Sequence, residues 1–474
     1  MADDPIQSDP DPSHASDAGP GLPDLVPPQR TTEPQYLRKT FVRAQMKAFA
    51  EQPFIVSRAD GVYYWDVAGK RYLDGIAGIY VASVGHNNPR VVETIKRQLD
   101  VLTVNPAMHG TNPLAVQLSN RLVELAPGDI SAAKIFSGGS ETTEGAIKMA
   151  RQYHKLAGSA TKTKVISRYL SWHGSTLGAM SASGLADRTA ASGPLAAGFI
   201  HVHPPTCYRC PFEKLYPDCK LTCASLVGDV IELEAPDTVA AAIVEPIGNT
   251  GGVIDPPPEY LPMLRDICDR HDVLLIFDEV INGLGRTGQM FAAETFGVLP
   301  DIICLGKGLG GGHAPVSALL CRKHVADMFW GDPSENPGFV AGHTYDGNPV
   351  SCAAALATIA EIVDRDLCAN ARRMGERLRA GLESLRRHGI VGDIRGKGLF
   401  LGIEFVRDPA TAEPFPADTP IGTLIGQRAL DNGLLTRFDP TWIALGPPLI
   451  ISESQIDQII AILDRSIAEA LEAV

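Results

Sequence analysis

"VLLIFDEVINGLGRTGQMFAAETFGVLPDIICLGKG", residues 273–308, is the stretch that decides the fold. It opens and closes on short apolar, β-branched runs, 273–280 and 301–308, each ending in acidic or Gly residues, with a helix-like stretch between them. Strands that are apolar at nearly every position are covered on both faces, as in a parallel sheet built from strand–helix–strand units. Working outward, "AKIFSG" (133–138), "TKVISR" (163–168) and "VAAAIVEP" (239–246) repeat the pattern. An α/β fold with a mostly parallel mixed sheet covered by helices is therefore predicted for the central part of the chain. Ligands of such sheets bind beyond the carboxyl ends of the strands, and every polar cluster discussed below sits at one.

Upstream, Asp60 to His86 gives short alternating runs broken by Gly, the pattern of small strands and turns. Downstream, "NPVSCAAALATIAEIV" and "NARRMGERLRAGLESLRRHG" predict long amphipathic helices, followed by strands at 399–405 and 442–450. A last helix opens on a Ser N-cap in "SESQIDQIIAILDRSIAEALEAV". The boundaries expected are a disordered tail at 1–32, a first small-lobe segment at 33–80, a large domain at 81–335 and a C-terminal small domain at 336–474. A chain of 474 residues needs such a division, because single cores stop growing at roughly 250–300 residues.

A formal net charge of −13 argues against nucleic acid or an anionic membrane as partner. No run of about 18 apolar residues offers a membrane span. The acidic, Pro-rich N-terminus matches neither a signal nor a transit peptide. Five of the nine cysteines (Cys268, Cys304, Cys321, Cys352 and Cys368) lie in apolar segments, as buried thiols of a cytoplasmic protein would. The other four, Cys207, Cys210, Cys219 and Cys223, fall in "CYRCPFEKLYPDCKLTC" with gaps of two, eight and three. That spacing departs from the paired Cys-x-x-Cys of zinc sites, so zinc, disulfides and free thiols all stay open and no metal is assigned.

Three clusters carry chemistry. In "SGGSETTEGAIKMAR" (137–151) a strand runs through a Gly pair and Ser140 into a helix, leaving backbone N–H groups able to cradle a phosphate. Asp278 and Glu279 stand at the mouth of a buried strand, where an unpaired charge costs several kcal/mol and a cation is the natural partner. Twenty-nine residues beyond Asp278, Lys307 follows another strand among glycines, with room for its amine to form an imine. Singly each has an ordinary structural explanation. Together, a phosphate cradle, a buried anion and an imine-forming lysine are what pyridoxal 5'-phosphate requires.

With these motifs, and with "SWHGSTLGAMSASG", "AAIVEPIGNTGG", "GHTYDGNPVSCAAALA" and "GPPLIIS" in the same order, the chain resembles the class III (subgroup II) aminotransferases of pyridoxal-phosphate fold type I from about residue 35 onward. The resemblance implies a large cofactor-binding domain plus a smaller α+β lobe drawn from both chain ends. It implies that Lys307 attaches the cofactor as a Schiff base and shuttles the proton, while Asp278 keeps the pyridine nitrogen protonated. Gly139 and Ser140 would bind the phosphate, Trp172 would stack on the ring where the family usually has Tyr, and Val280 would pack on the opposite face. Thr344 would reach the phosphate of a partner subunit, which makes the active unit a homodimer with shared sites, or a tetramer. His173 and Glu245 would be supporting residues.

Ile281 and Thr250 stand where glutamate-dependent members usually carry Gln and an arginine-neutralising Glu, and Arg437 lies at the place of the substrate-carboxylate arginine. The resemblance is therefore closest to the amine and ω-amino acid–pyruvate aminotransferases, with a small-molecule amine donor and a keto acid acceptor exchanging the amino group by a ping-pong mechanism. Tyr80, often Trp in those members, would line the substrate pocket with Trp172 and Arg437. With no acid at 250, Arg437 is expected to swing away rather than be paired when a substrate lacks a carboxylate. A 2-oxoglutarate-dependent enzyme, and a racemase or aminomutase using the same cofactor, are the alternatives.

Overall fold

The computed structural model describes residues 28–42, 44–334, 336 and 338–474. The expected disordered tail lies outside these residues up to position 27, and its last five, Pro28–Thr32, form a 3₁₀ helix. Three strands open the chain: β1 (Val56–Asp60), β2 (Tyr63–Asp66) and β3 (Arg71–Asp74). Seven follow in the centre, β4 (Ile130–Phe136), β5 (Lys164–Arg168), β6 (Phe199–Val202), β7 (Val239–Val244), β8 (Leu274–Asp278), β9 (Ile302–Leu305) and β10 (Ser317–Arg322). Five close it, β11 (Val391–Lys397), β12 (Phe400–Phe405), β13 (Leu434–Leu435), β14 (Arg437–Asp439) and β15 (Trp442–Leu445).

The central seven form one sheet in the order β4-β10-β9-β8-β7-β5-β6. The pairs β9–β8, β8–β7, β7–β5 and β5–β6 are parallel, and β10 runs antiparallel between β9 and β4. The carboxyl ends of β4, β5, β7, β8 and β9 consequently share one edge. Every residue of β7, β8 and β9 is buried, which accounts for their unbroken apolar sequences. The helix Gly139–Leu156 packs against the sheet, and the helix Pro349–Asp364 lies on the helix Pro89–Leu99. Two strands of this sheet escaped the sequence reading, the four-residue β6 and the antiparallel β10, as did β11, β13 and β14 outside it.

Around this core stand two four-stranded sheets, β1-β2-β3-β13 and β11-β12-β15-β14. The first joins the two ends of the chain, since β13 pairs in parallel with β3, Leu434 opposite Leu73 and Leu435 opposite Asp74. Asp74, fully buried, pins the next loop: its carboxylate accepts from the backbone N–H of Ile76 (3.1 Å) and Gly78 (2.8 Å) and pairs with His86 Nε2 at 2.7 Å. That loop carries Tyr80, whose backbone takes a left-handed φ of 63°. The closing helix Glu453–Leu471 starts as expected on Ser452, with a reciprocal cap to Gln455.

Candidate active site

The strand ends gather most of the sequence-derived site on one edge of the sheet. After β4 the helix Gly139–Leu156 begins at once, and Glu141 folds back to accept the N–H groups of Ser137 (3.2 Å) and Gly138 (3.1 Å). The Ser140 hydroxyl accepts from the Ser175 N–H at 2.9 Å. Gly174 runs so close that a Cβ there would stand 2.7 Å from the Ser140 oxygen, so only glycine allows this approach. The methyls of Val280 press on the same turn: a Cβ on Gly139 or Gly306 would lie 3.1 or 3.2 Å from Val280 Cγ1.

At the end of β8, Asp278 is 4% exposed. One carboxylate oxygen meets His173 Nδ1 at 2.8 Å and the other accepts the Val280 N–H at 3.1 Å. His173 is itself held through its backbone, by Ser183 Oγ at 2.8 Å and Thr143 Oγ1 at 2.7 Å, so its ring position is fixed by two neighbouring segments. It is a supporting residue in direct contact with Asp278. Glu245, at the end of β7, accepts from the N–H groups of Trp172 and Asn249, both at 3.1 Å, and so orients the loop that bears Trp172. Burial pushes its carboxyl above the ordinary range, against the opposing effect of His173. Glu279 points the other way, accepting from Ala292 N–H (2.6 Å) and Ala293 N–H (2.8 Å); burial raises its carboxyl to about 8.

Lys307 follows β9, whose residue Cys304 pairs with Asp278. Its φ of 41° puts a lysine in the left-handed region, a conformation costing about 1–3 kcal/mol and retained where the surroundings demand it. Such strain concentrates at functional positions.

On the other side, Tyr80 is 2% exposed and its ring packs edge-on against Phe400 at 5.3 Å. Its hydroxyl is buried and finds no hydrogen-bond partner among the described residues. Burial pushes this phenol up to about 12, and the charges of Arg437 and Arg286 oppose the shift. Arg437 lies over the Trp442 ring at 5.1 Å. Thr250 contributes no charge, its hydroxyl donating to the Leu170 carbonyl at 2.7 Å. Arg437 does meet an acid that the sequence reading did not weigh: Asp439 Oδ2 lies 3.8 Å from its Nη2. Residues two apart on a strand share a face, and recognising this pair requires knowing that 437–439 is a strand. A second arginine, Arg188, sits over the Trp172 ring at 5.3 Å and was likewise missed.

Thr344 is exposed and stands apart from these groups, one residue after His343, whose Nδ1 is 3.6 Å from Glu141. It lines a wide groove of 1310 Å³ with Met108, Lys134 and Val340. All four clustered cysteines are free thiols, and among the described residues no group of three or more His, Cys, Asp or Glu is arranged to hold a metal ion. Cys207, Cys210, Cys219 and Cys223 nonetheless border one small cavity. No helix of the described residues is long and apolar enough to cross a membrane.

The residues fit pyridoxal phosphate. A shielded carboxylate stands ready for a pyridinium nitrogen, glycines let a helix start approach a phosphate, and the lysine leaves the adjacent strand. The comparisons agree. The family model for class III aminotransferases matches residues 46–467. The chain is 40% identical over 430 residues to a probable aminotransferase of Mycobacterium tuberculosis, covering 89% of this chain and 90% of that one. It is 36% identical over 428 residues to a taurine–pyruvate aminotransferase of Bilophila wadsworthia, covering 88% and 92%. Among solved structures, an amine transaminase from an uncultivated Pseudomonas species in its pyridoxal-phosphate-bound form superposes with a TM-score of 0.85 at 34% identity, covering 91% and 98%.

Proposed function

Because the chain belongs to the class III aminotransferases, which work through pyridoxal phosphate, we propose that it moves an amino group from an amine or ω-amino acid to pyruvate in two successive half-reactions. When bound, the cofactor supplies the electron sink for a substrate carbanion. Lys307, at the end of β9, would be the residue that attaches it, and its amine would serve as the base that carries the proton at the substrate carbon. The Asp278 carboxylate keeps the proton on the pyridine nitrogen, and His173 with the Val280 N–H keeps that carboxylate in place. The N–H groups at Gly139 and the Ser140 hydroxyl would hold the phosphate, and Trp172 and Val280 would pack against the ring.

Tyr80 and Arg437 line the substrate side, the guanidinium gripping a carboxylate in the two-pronged manner that suits it. Thr344, exposed beside the wide groove, serves the site of a second subunit, so the working unit is a homodimer or a tetramer. Residues 33–80 and 336–474 make up the small lobe against a large domain of 81–335, a division supported by the β3–β13 pairing. A reducing cytosol suits the buried thiols of Cys268, Cys304, Cys321 and Cys352.

The observation that carries the choice of acceptor is the pairing of Arg437. Thr250 offers it no charge, and the acid it does meet is loosely held at 3.8 Å. An arginine so lightly restrained is available to the small carboxylate of pyruvate and able to move aside for an amine. A panel of amine donors with pyruvate and 2-oxoglutarate as separate acceptors, read as alanine or glutamate formed, tests this. Glutamate as the main product, or donor racemisation without any acceptor, would overturn it.

A further inference from the structure

Asp439 lies where a mobile arginine needs a partner. Arg437 and Asp439 project from the same face of β14, and Trp442 on β15 pairs directly with Asp439. The Arg437 guanidinium reaches back across the Trp442 ring towards that carboxylate, 5.1 Å from the ring centre and 3.8 Å from Oδ2. The arginine side chain is 18% exposed and the aspartate 41%. From the large domain Arg188, itself over the Trp172 ring, brings a second positive charge to bear on Asp439, with Asp187 opposing it. Burial raises the Asp439 carboxyl, and Arg437 and Arg188 both counter that rise. When Arg437 leaves, Arg188 therefore still favours the ionised form.

We propose that Asp439 is the resting partner of Arg437, holding the guanidinium over Trp442 while an amine without a carboxylate is in the site and yielding it when a carboxylate arrives. The proposal rests on the reading of Arg437 as the carboxylate clamp. The looseness of the pair is what such a role requires. A short, buried, bidentate ion pair would lock the arginine away from substrate. A half-exposed contact at 3.8 Å is weak and salt-sensitive, so it holds the side chain against water yet loses to a substrate carboxylate that makes two charge-assisted hydrogen bonds. The device occupies two alternate positions of one strand and needs no acid from the loop at Thr250.

The test uses the cofactor-loaded enzyme and two probes, propionate as an unreactive carboxylate and benzylamine as a donor with none. Propionate binding is read from the visible absorption of the loaded enzyme, and benzylamine from a single half-reaction. In Asp439→Asn the freed arginine should tighten propionate about two- to fivefold and slow the benzylamine half-reaction by about threefold or more, with Asp439→Glu restoring both. Loss of a merely structural residue would worsen both. A general field effect of the lost charge would persist in an Arg437→Ala background, whereas the proposed pairing predicts that Asp439→Asn changes nothing there. Propionate binding in Asp439→Asn that is unchanged or weaker overturns the proposal, as does tightening that survives in the Arg437→Ala background. If Arg437→Ala alone leaves propionate binding intact, the clamp reading itself fails. Should Asp439→Asn lose its cofactor, Asp439→Ser gives the same readings.

Discussion

Replacing Asp278 by Asn keeps the shape of the side chain and removes its charge, which makes it a direct probe of the proposed electron-sink control. The carboxylate is 4% exposed, with one oxygen 2.8 Å from His173 Nδ1 and the other 3.1 Å from the Val280 N–H. The amide oxygen can take over the Val280 contact, leaving an NH₂ group facing His173. His173 then has to present a lone pair at Nδ1, and nothing anionic remains to hold a proton on the pyridine nitrogen. Losing a preorganised charge in a water-poor site is worth about 3–4 kcal/mol in the barrier, or about 150- to 900-fold in rate. The assay is the single-turnover change in visible absorption on mixing the loaded variant with L-alanine, beside a wild-type circular dichroism spectrum and a full cofactor count. A rate within about threefold of wild type, with cofactor retained, would remove Asp278 from the mechanism.

Lys307→Ala should bind pyridoxal phosphate without forming a borohydride-reducible bond and should show no turnover; wild-type transamination would refute the central assignment. Gly174→Ala would put a methyl 2.7 Å from Ser140 Oγ, so cofactor affinity, followed by equilibrium dialysis, should fall by about tenfold or more, and unchanged affinity would mean that this turn does not hold the phosphate. The Glu279 carboxyl, raised to about 8 in the folded chain, is protonated there over a range in which the unfolded chain has lost its proton. Stability from this group should therefore fall as pH climbs from about 4.5 towards 8, and Glu279→Gln should flatten that decline in melting temperature; parallel pH profiles would count against the shift. Complete denaturation should release nine titratable thiols, and a smaller number would mean that the 207–223 loop is cross-linked.

The buried strands were legible because burial on both faces writes itself as unbroken apolar runs: β7 and β8 start and stop within two residues of the sequence reading, and β9 stops three residues before its read end. β6 was not, since four residues including His201 at an edge carry too little pattern. β10 is apolar enough, but its antiparallel direction follows from the connection, residues 306–316, which is short for a parallel crossover. The candidates Asp278 and Lys307 were legible from their places at strand ends taken together with the Gly-Ser turn, not from residue type singly. Asp439 was not, because its meaning depends on sharing a strand face with Arg437 and an opposite position with Trp442. Nor could sequence reveal that the Tyr80 hydroxyl finds no hydrogen-bond partner among the described residues, since that depends on packing contributed by Phe400 and Trp442 from far along the chain.

The pairing of β13 with β3 also sets a clock on synthesis. Leu73 emerges early but its neighbour Leu434 is 361 residues later, a delay of about 20–70 s at ~5–20 residues per second on the ribosome. Throughout that interval one edge of β3, and with it the Asp74-pinned loop bearing Tyr80, lacks its partner strand. The nascent chain can close its central sheet first, so the pocket wall is the last part to be finished, and a ribosome that stalls before Leu434 leaves an α/β domain with an unpaired strand edge, the kind of surface on which neighbouring chains add.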